Sequence, residues 1–317
     1  MFLMSSSKDK YRSLCRTEDS IPIFLKDWWL DAVSDEQWDV ALLEEGGTIK
    51  AAMPYRTVRK MGFKLLNMPT LTSGWGPWIK YPADQKYASR LSYEHQTITQ
   101  LISQLPSFDY FNQRFRYTIT NGLPYYWKGF SLTTRYTYVI RDLQQLDKVW
   151  NTMSSSARSQ IRKAEKTVRV IITEDVTDLY RLSVSLFKRQ KEKIPYTLEF
   201  LKKLDVACKE HQSGRIFLAV DENNRVQASL YLVWDKQSAY YLGGGTDPEA
   251  VGGTFSLLMW KAIEYAATVT CEFNFEGSML ESVERFFRSF GPEQIPYLQV
   301  QKVNSTSLKL AKLVNVI

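Results

Sequence analysis

Residues 238–267, SAYYLGGGTDPEAVGGTFSLLMWKAIEYAA, constrain the fold more than any other stretch. An aromatic strand pattern runs into Gly243, Gly244 and Gly245, and Gly252 and Gly253 precede an apolar helical pattern. A strand, a glycine-rich loop and a helix are the parts of a phosphate cradle. Spacing excludes two such cradles. A G-x-G-x-x-G fingerprint started at Gly243 puts Pro248 in its last position, and no glycine here meets the G-x-x-x-x-G-K-[ST] spacing. What is left is a strand end and a helix N-terminus near Gly253, whose free backbone N–H groups either accept an anion or only begin the helix.

A chain of 317 residues exceeds one ordinary core, so two domains are expected. Only His95 and His211, and only Cys15, Cys208 and Cys271, are present. That leaves no disulfide framework, no H-E-x-x-H or Cys/His zinc pattern and no G-x-S-x-G elbow, so no metal is expected. The net charge of +7 suits an anionic partner if the cations cluster. The N-terminal MFLMSSSKDK is too short in apolar residues for a signal-peptide core, and no apolar run reaches the length of a membrane span. A cytoplasmic protein without integral membrane association is expected.

Two segments resemble each other at an offset of 177 residues: LEEGGTIKAAM (43–53) and VDENNRVQASL (220–230). Each reads as a strand, an acidic residue opening a tight turn, and a returning strand. Gly46-Gly47 and Asn223-Asn224 both tolerate the positive φ of two-residue hairpin turns. Ahead of the first hairpin, 24–33 reads as a short helix. After it, 87–105 places Leu91, Ile98, Leu101, Ile102 and Leu105 on one helical face, and strands follow at 108–115 and 134–140. The second half begins with a helix capped by Asp142, a break at 153–156 and a basic helix to Lys166. It continues with strand 168–173, helices near 175–191 and 197–211, the second hairpin, and strand 238–243. The glycine loop, helix 254–267, strand 271–276, a helix near 280–288 and strand 297–303 close the chain. This order predicts an α/β (α+β) chain with a mixed sheet flanked by helices, rather than a Rossmann alternation. Domains are expected over 1–145 and 146–317, with the C-terminal tail free to pack back on the first.

Three further stretches hold candidate chemistry. ARSQIRKAEKTVR carries Arg158, Arg162 and Lys163, a candidate anion-binding surface or a solvated helix face. FKRQKEKIPYT carries Arg189 and Tyr196 at a proline-broken turn, where both could meet a phosphate or carboxylate. CEFNFEGSMLESVERFFRSFG ends a strand at Glu276, Gly277 and Ser278, where Glu276 is placed either for general-base work or to cap the next helix.

RSQIRKAEK, YYLGGG before LLMWKAIEYA, and FNFEGSM with VERFFRSFG resemble, in that order, the GNAT-related Fem-type acyl and aminoacyl transferases. The resemblance covers about 150–303. DWWLDAV, WDVALLEEGGTIKAAMPY and PTLTSGWGPWI extend it to the uncharacterised bacterial branch. It implies two tandem GNAT-like domains, each a mixed, mostly antiparallel sheet flanked by helices, and metal-independent acyl transfer to an amine. Backbone N–H groups near a splayed strand would stabilise the oxyanion. By this likeness Glu276 and Tyr241 are the catalytic candidates. Arg189, Tyr196, Tyr240, Gly243, Gly244, Gly245, Ser278, Phe287 and Arg288 line the substrate cleft, with Arg288 where the family often has Lys. The loop departs from the Q/R-x-x-G-x-G/A pattern of acetyl-CoA binders, and the inserted coiled-coil arm of the aminoacyl-tRNA users has no counterpart here. The donor is therefore either acyl-CoA or aminoacyl-tRNA. The partners implied are anionic substrates and possible tRNA, not DNA. Competing readings are an acyl-CoA N-acyltransferase of a small amine and a non-catalytic GNAT pair that grips an anion. RNA binding is disfavoured because basic and aromatic residues do not interleave.

Overall fold

The two look-alike hairpins do form, and they turn differently. A computed structural model describes residues 6–277 and 279–313. In the first hairpin, β1 (Trp38–Glu45) pairs with β2 (Thr48–Lys60). Glu45 faces Thr48, and Gly46 and Gly47 turn at φ 55° and 73°, the two-residue geometry expected. In the second, β8 (Gly214–Asp221) pairs with β9 (Val226–Trp234). Here Asp221 Oδ1 accepts from the N–H groups of Asn223 (3.0 Å) and Arg225 (2.9 Å), and of the two asparagines only Asn224 takes positive φ, at 61°. A side-chain carboxylate closes this longer turn, so the expected pair of left-handed residues is not required.

The chain divides into two compact units, Met1–Arg135 with Pro296–Ile317, and Tyr136–Ile295. In the first, helices α1 (Ser7–Thr17) and α2 (Asp27–Ser34) precede the hairpin. The helix expected from Phe24 is a 3₁₀ turn at Ile23–Leu25 followed by α2. Strands β3 (Phe63–Asn67) and β4 (Trp78–Ile79), helix α3 (Tyr87–Ser103), β5 (Tyr110–Arg114) and α4 (Leu123–Trp127) follow. β12 (Glu293–Val303) and α11 (Thr306–Leu313) close the chain. The sheet order is β1-β2-β3-β5-β12, with β3 and β5 parallel and β4 beside β2. Of the expected α3 face, Ile98 and Leu101 are fully buried, under a ring cluster of Phe111, Phe115, Tyr125 and Phe130. Many of the aromatics are thus core residues: Trp29, Trp75, Tyr11 and Tyr125 are fully buried.

The second unit begins within β6 (Ser131–Ile140) and continues through α5 (Leu146–Thr152), α6 (Ser155–Ala164), β7 (Val168–Thr173), α7 (Thr177–Arg189) and α8 (Leu198–Glu210). After the second hairpin come β10 (Ala239–Thr246), α9 (Thr254–Ala266), β11 (Phe273–Asn274) and α10 (Glu281–Arg288). The sheet order is β6-β11-β10-β9-β8-β7, and among the described residues only β10 and β11 of this order run parallel. α6, α9 and α10 pack on one face through Ile161, Leu257, Leu258, Ile263, Phe287 and their neighbours. α7 and α8 bury Leu179, Leu182, Leu201 and Leu204. Asp142 does not cap α5, which starts behind Gln145. Its carboxylate instead accepts from Gln144 N–H and Gln145 Nε2, both at 2.9 Å, fixing the turn before the helix.

Candidate functional site

The site is built where two strands part. β10 and β11 pair in parallel at only two positions, Ala239 with Phe273 and Tyr240 with Asn274. β10 continues to Thr246 against β9, past the expected end at Gly243. Leu242 drops out of that register between Tyr241 opposite Leu232 and Gly243 opposite Tyr231, a bulge that bends the strand. β11 leaves in the other direction. Phe275 N–H donates to Tyr138 O (2.9 Å), and Glu276 and Gly277 then take left-handed φ of 62° and 60°. A Cβ on Gly277 would overlap Tyr136 O, so only glycine fits. Buried Asn274 holds the turn: its Oδ1 accepts from Thr137 Oγ1 (2.7 Å) and Glu276 N–H (2.9 Å). Residues 241–246 of β10 therefore have a strand partner on one side only among the described residues.

The five loop glycines divide by physical cause. A Cβ at Gly244 would strike Ser229 O of β9; one at Gly245 would come within 2.5 Å of Leu182 C and O in α7. Gly253 turns at φ 91° and a Cβ there would lie 2.5 Å from Gln160 O in α6. These three permit close packing. Gly243 and Gly252 have nothing within 4 Å of the same position. They leave backbone open to approach, one on the parting strand and one just before α9.

Several sequence candidates gather around this opening. Tyr241 rings against Phe255 (6.1 Å) and Phe287 (6.0 Å), and its hydroxyl has no hydrogen-bond partner among the described residues. Burial, with a smaller contribution from Tyr196, pushes its phenol above the ordinary range. Tyr196 packs between Tyr180 and Phe200, each at 6.2 Å, and burial raises its phenol too. Arg189 ends α7, and its Nη2 donates to Thr246 O at 2.7 Å, tying the basic turn to the end of β10. Beside it a hollow of about 520 Å³ is lined by Val184, Lys188, Lys191, Glu192, Lys193 and Ile194. Glu276 is half-buried and stands two residues beyond the end of β11.

Other candidates are held elsewhere. Tyr240 is buried and its hydroxyl donates to Asp235 Oδ2 at 3.1 Å. Phe287 is a core residue at 3% exposure. Arg288 is two-thirds exposed and pairs with Glu284 at 2.8 Å, one helical turn back. Ser278 lies outside the described residues. On α6, Arg158 is half-buried, Lys163 is exposed, and Arg162 lies over the Trp150 ring at 5.6 Å. The contact of Gly253 with Gln160 brings this basic helix beside the start of α9. Sequence reasoning missed Asn274, Phe255 and the bulge at Leu242. Asn274 alone left a signal, as a polar residue inside an apolar strand.

Comparison with known proteins fits this geometry. Residues 151–277 match the family model described as an acetyltransferase (GNAT) domain. This segment is a GNAT domain. A search of curated proteins finds no match. Among solved structures, FemX is similar at 11% identity over 97% of this chain and 98% of its own, with a TM-score of 0.68. L-PGS from Bacillus licheniformis is similar at 12% identity over 90% of each chain, TM-score 0.55. A tandem GNAT protein from the clavulanic acid biosynthesis pathway is similar at 8% identity over 85% and 84%, TM-score 0.50. The chain thus has a GNAT-related, Fem-like fold, and the GNAT domain supports acyl transfer in general. The domain holds Arg158, Arg162, Lys163, Arg189, Tyr196, Tyr240, Tyr241, Gly243 to Gly245 and Glu276; Phe287 and Arg288 follow it. Among the described residues no helix is long and apolar enough to cross a membrane.

Proposed function

We propose that this chain moves an activated acyl or aminoacyl group onto an amine, with a cell-envelope precursor as the acceptor class. The observation that carries the reading is the parting of β10 from β11 after a two-residue parallel pair, inside a GNAT domain. An extended donor can lie along the free edge of β10 as an added strand does. The same edge offers backbone N–H groups where an oxyanion gathers charge, and one such donor is typically worth ~10²–10³ in rate. The amine nitrogen bonds to the carbonyl carbon, and the bond from that carbon to the carrier sulfur or oxygen breaks. Glu276 takes the proton the amine sheds, and Tyr241 gives one to the leaving atom. Arg189 with the lysine-lined hollow, and Arg158, Arg162 and Lys163 beside α9, are the proposed anion contacts.

Two donors remain in competition. Aminoacyl-tRNA is supported by the likeness to FemX and by a loop whose Gly253 is closed against α6. Acyl-CoA, acting on a small amine, is supported by the acetyltransferase description of the matching domain. Calorimetry with acetyl-CoA, longer acyl-CoAs and charged tRNA separates them, followed by mass-spectrometric detection of the acylated amine. We expect one donor class to bind and turn over. Binding by none would leave a GNAT pair that grips an anion without catalysis.

A further inference from the structure

At one end of the first unit's sheet, several elements bring their cations together. The β2–β3 hairpin turns there through Lys60, Met61 and Gly62. β5 starts at the same end, because Lys64 N–H donates to Asp109 Oδ2 (2.7 Å) and Asp109 N–H to Lys64 O (2.8 Å). β12 finishes there, with Asn304 N–H donating to Asp109 O at 2.8 Å. The turn after α4 joins them, since Lys302 Nζ donates to Lys128 O at 2.7 Å and lies over the Phe130 ring at 5.0 Å. Arg59, Lys60, Lys64, Lys128, Lys302 and Lys309 collect on this end, and none has an ion-pair partner among the described residues. The carboxylate of Asp109 is already engaged by backbone.

Exposed apolar side chains accompany this charge. Met61, at the hairpin apex, is 88% exposed, the highest value among the large hydrophobics of the described residues. Tyr126, two residues before Lys128, is 64% exposed, and Trp127 is 59% exposed with its ring edge-on to His95 of α3 at 4.9 Å. We infer that this end of the first unit is a docking surface for an anionic lipid membrane. Unpaired cations meet the headgroups, tryptophan and tyrosine suit the headgroup level, and an aliphatic apex reaches the acyl boundary. RNA would use the cations as well, but it gains nothing from an unbranched aliphatic side chain held out on a hairpin tip.

The test is flotation of the full chain with vesicles of phosphatidylcholine alone and with vesicles that also contain phosphatidylglycerol. We expect binding only to the anionic vesicles, weakening as salt rises. Each lysine near such a surface is worth roughly fivefold. Lys60→Glu with Lys128→Glu should therefore lower binding by more than about twentyfold, and Met61→Asp by several-fold, both with unchanged thermal unfolding. Asp tolerates the left-handed φ of 50° at position 61, so that variant should fold. Lack of binding to anionic vesicles, or binding indifferent to both variants, overturns the inference. So does uncharged tRNA that binds in place of vesicles and is lost in the same variants.

Discussion

Gly243 and Gly245, two residues apart on β10, should respond to alanine in opposite ways. At position 245 the new methyl would lie 2.5 Å from Leu182 C and O and 3.0 Å from its Cβ. Leu182 is fully buried in α7, so the helix would have to move away from the strand. Gly245 itself is not left-handed, so the cost is steric alone. Overpacking of this kind costs roughly 1–3 kcal/mol. For a unit of about 160 residues that lowers the unfolding midpoint by roughly 2–12 °C. At Gly243 nothing lies within 4 Å, so alanine should leave the midpoint unchanged or raise it slightly. The same methyl obstructs the open edge of β10 and should slow acyl transfer about tenfold or more, one such step being worth ~1.4 kcal/mol. Thermal unfolding followed by circular dichroism, with transfer rates on the same preparations, reads both effects. A Gly245→Ala protein with the wild-type midpoint, or a Gly243→Ala protein with the wild-type rate, would refute the division of roles.

Three other outcomes follow from the same geometry. Tyr241→Phe removes the proposed proton donor without removing its ring contacts, so kcat should fall by ~10²-fold or more with little loss of stability; an unchanged kcat would end that role. Arg189→Ala should weaken donor or acceptor binding by about tenfold in calorimetry, and Arg189→Lys should recover only part, because a lysine cannot reproduce the planar fork. The thiols of Cys15 and Cys208 are pushed up to about 12 by burial. The folded chain keeps those protons while the unfolded chain loses them near pH ~8.5. Their contribution is therefore complete below that pH and shrinks as pH rises towards 12, by at most ~1.4 kcal/mol per pH unit for each thiol. Urea midpoints at stepped pH should show the decline, and Cys208→Ala should reduce it by about half, leaving the part due to Cys15.

Pattern was legible where backbone hydrogen bonding is local. The helical face of α3, the apolar α9 and both hairpins follow from periodicity and turn residues. What escaped depended on contacts distant in sequence. β10 extends to Thr246 because β9 supplies a partner along its whole length, which no local pattern at Gly243 reveals. Asn-Asn suggested two left-handed residues, but Asp221 closes the turn with its carboxylate. The run Gly243 to Gly245 looks uniform, yet one residue is open, one abuts a neighbouring strand and one abuts a helix. On α10 the pair Phe287 and Arg288 reads as one motif. A helix turns about 100° per residue, so burying the first sends the second outwards to Glu284.

The central claim is that the gap opened by β10 and β11 holds the reacting carbonyl. A structure with a non-hydrolysable donor, an acyl-CoA thioether or an aminoacyl-tRNA amide, tests it most directly. The account predicts the acyl group along residues 241–246, its carbonyl within hydrogen-bond distance of the β10 backbone and its leaving atom near the Tyr241 hydroxyl. A donor bound away from that edge, with β10 still open beside Gly243, would contradict it.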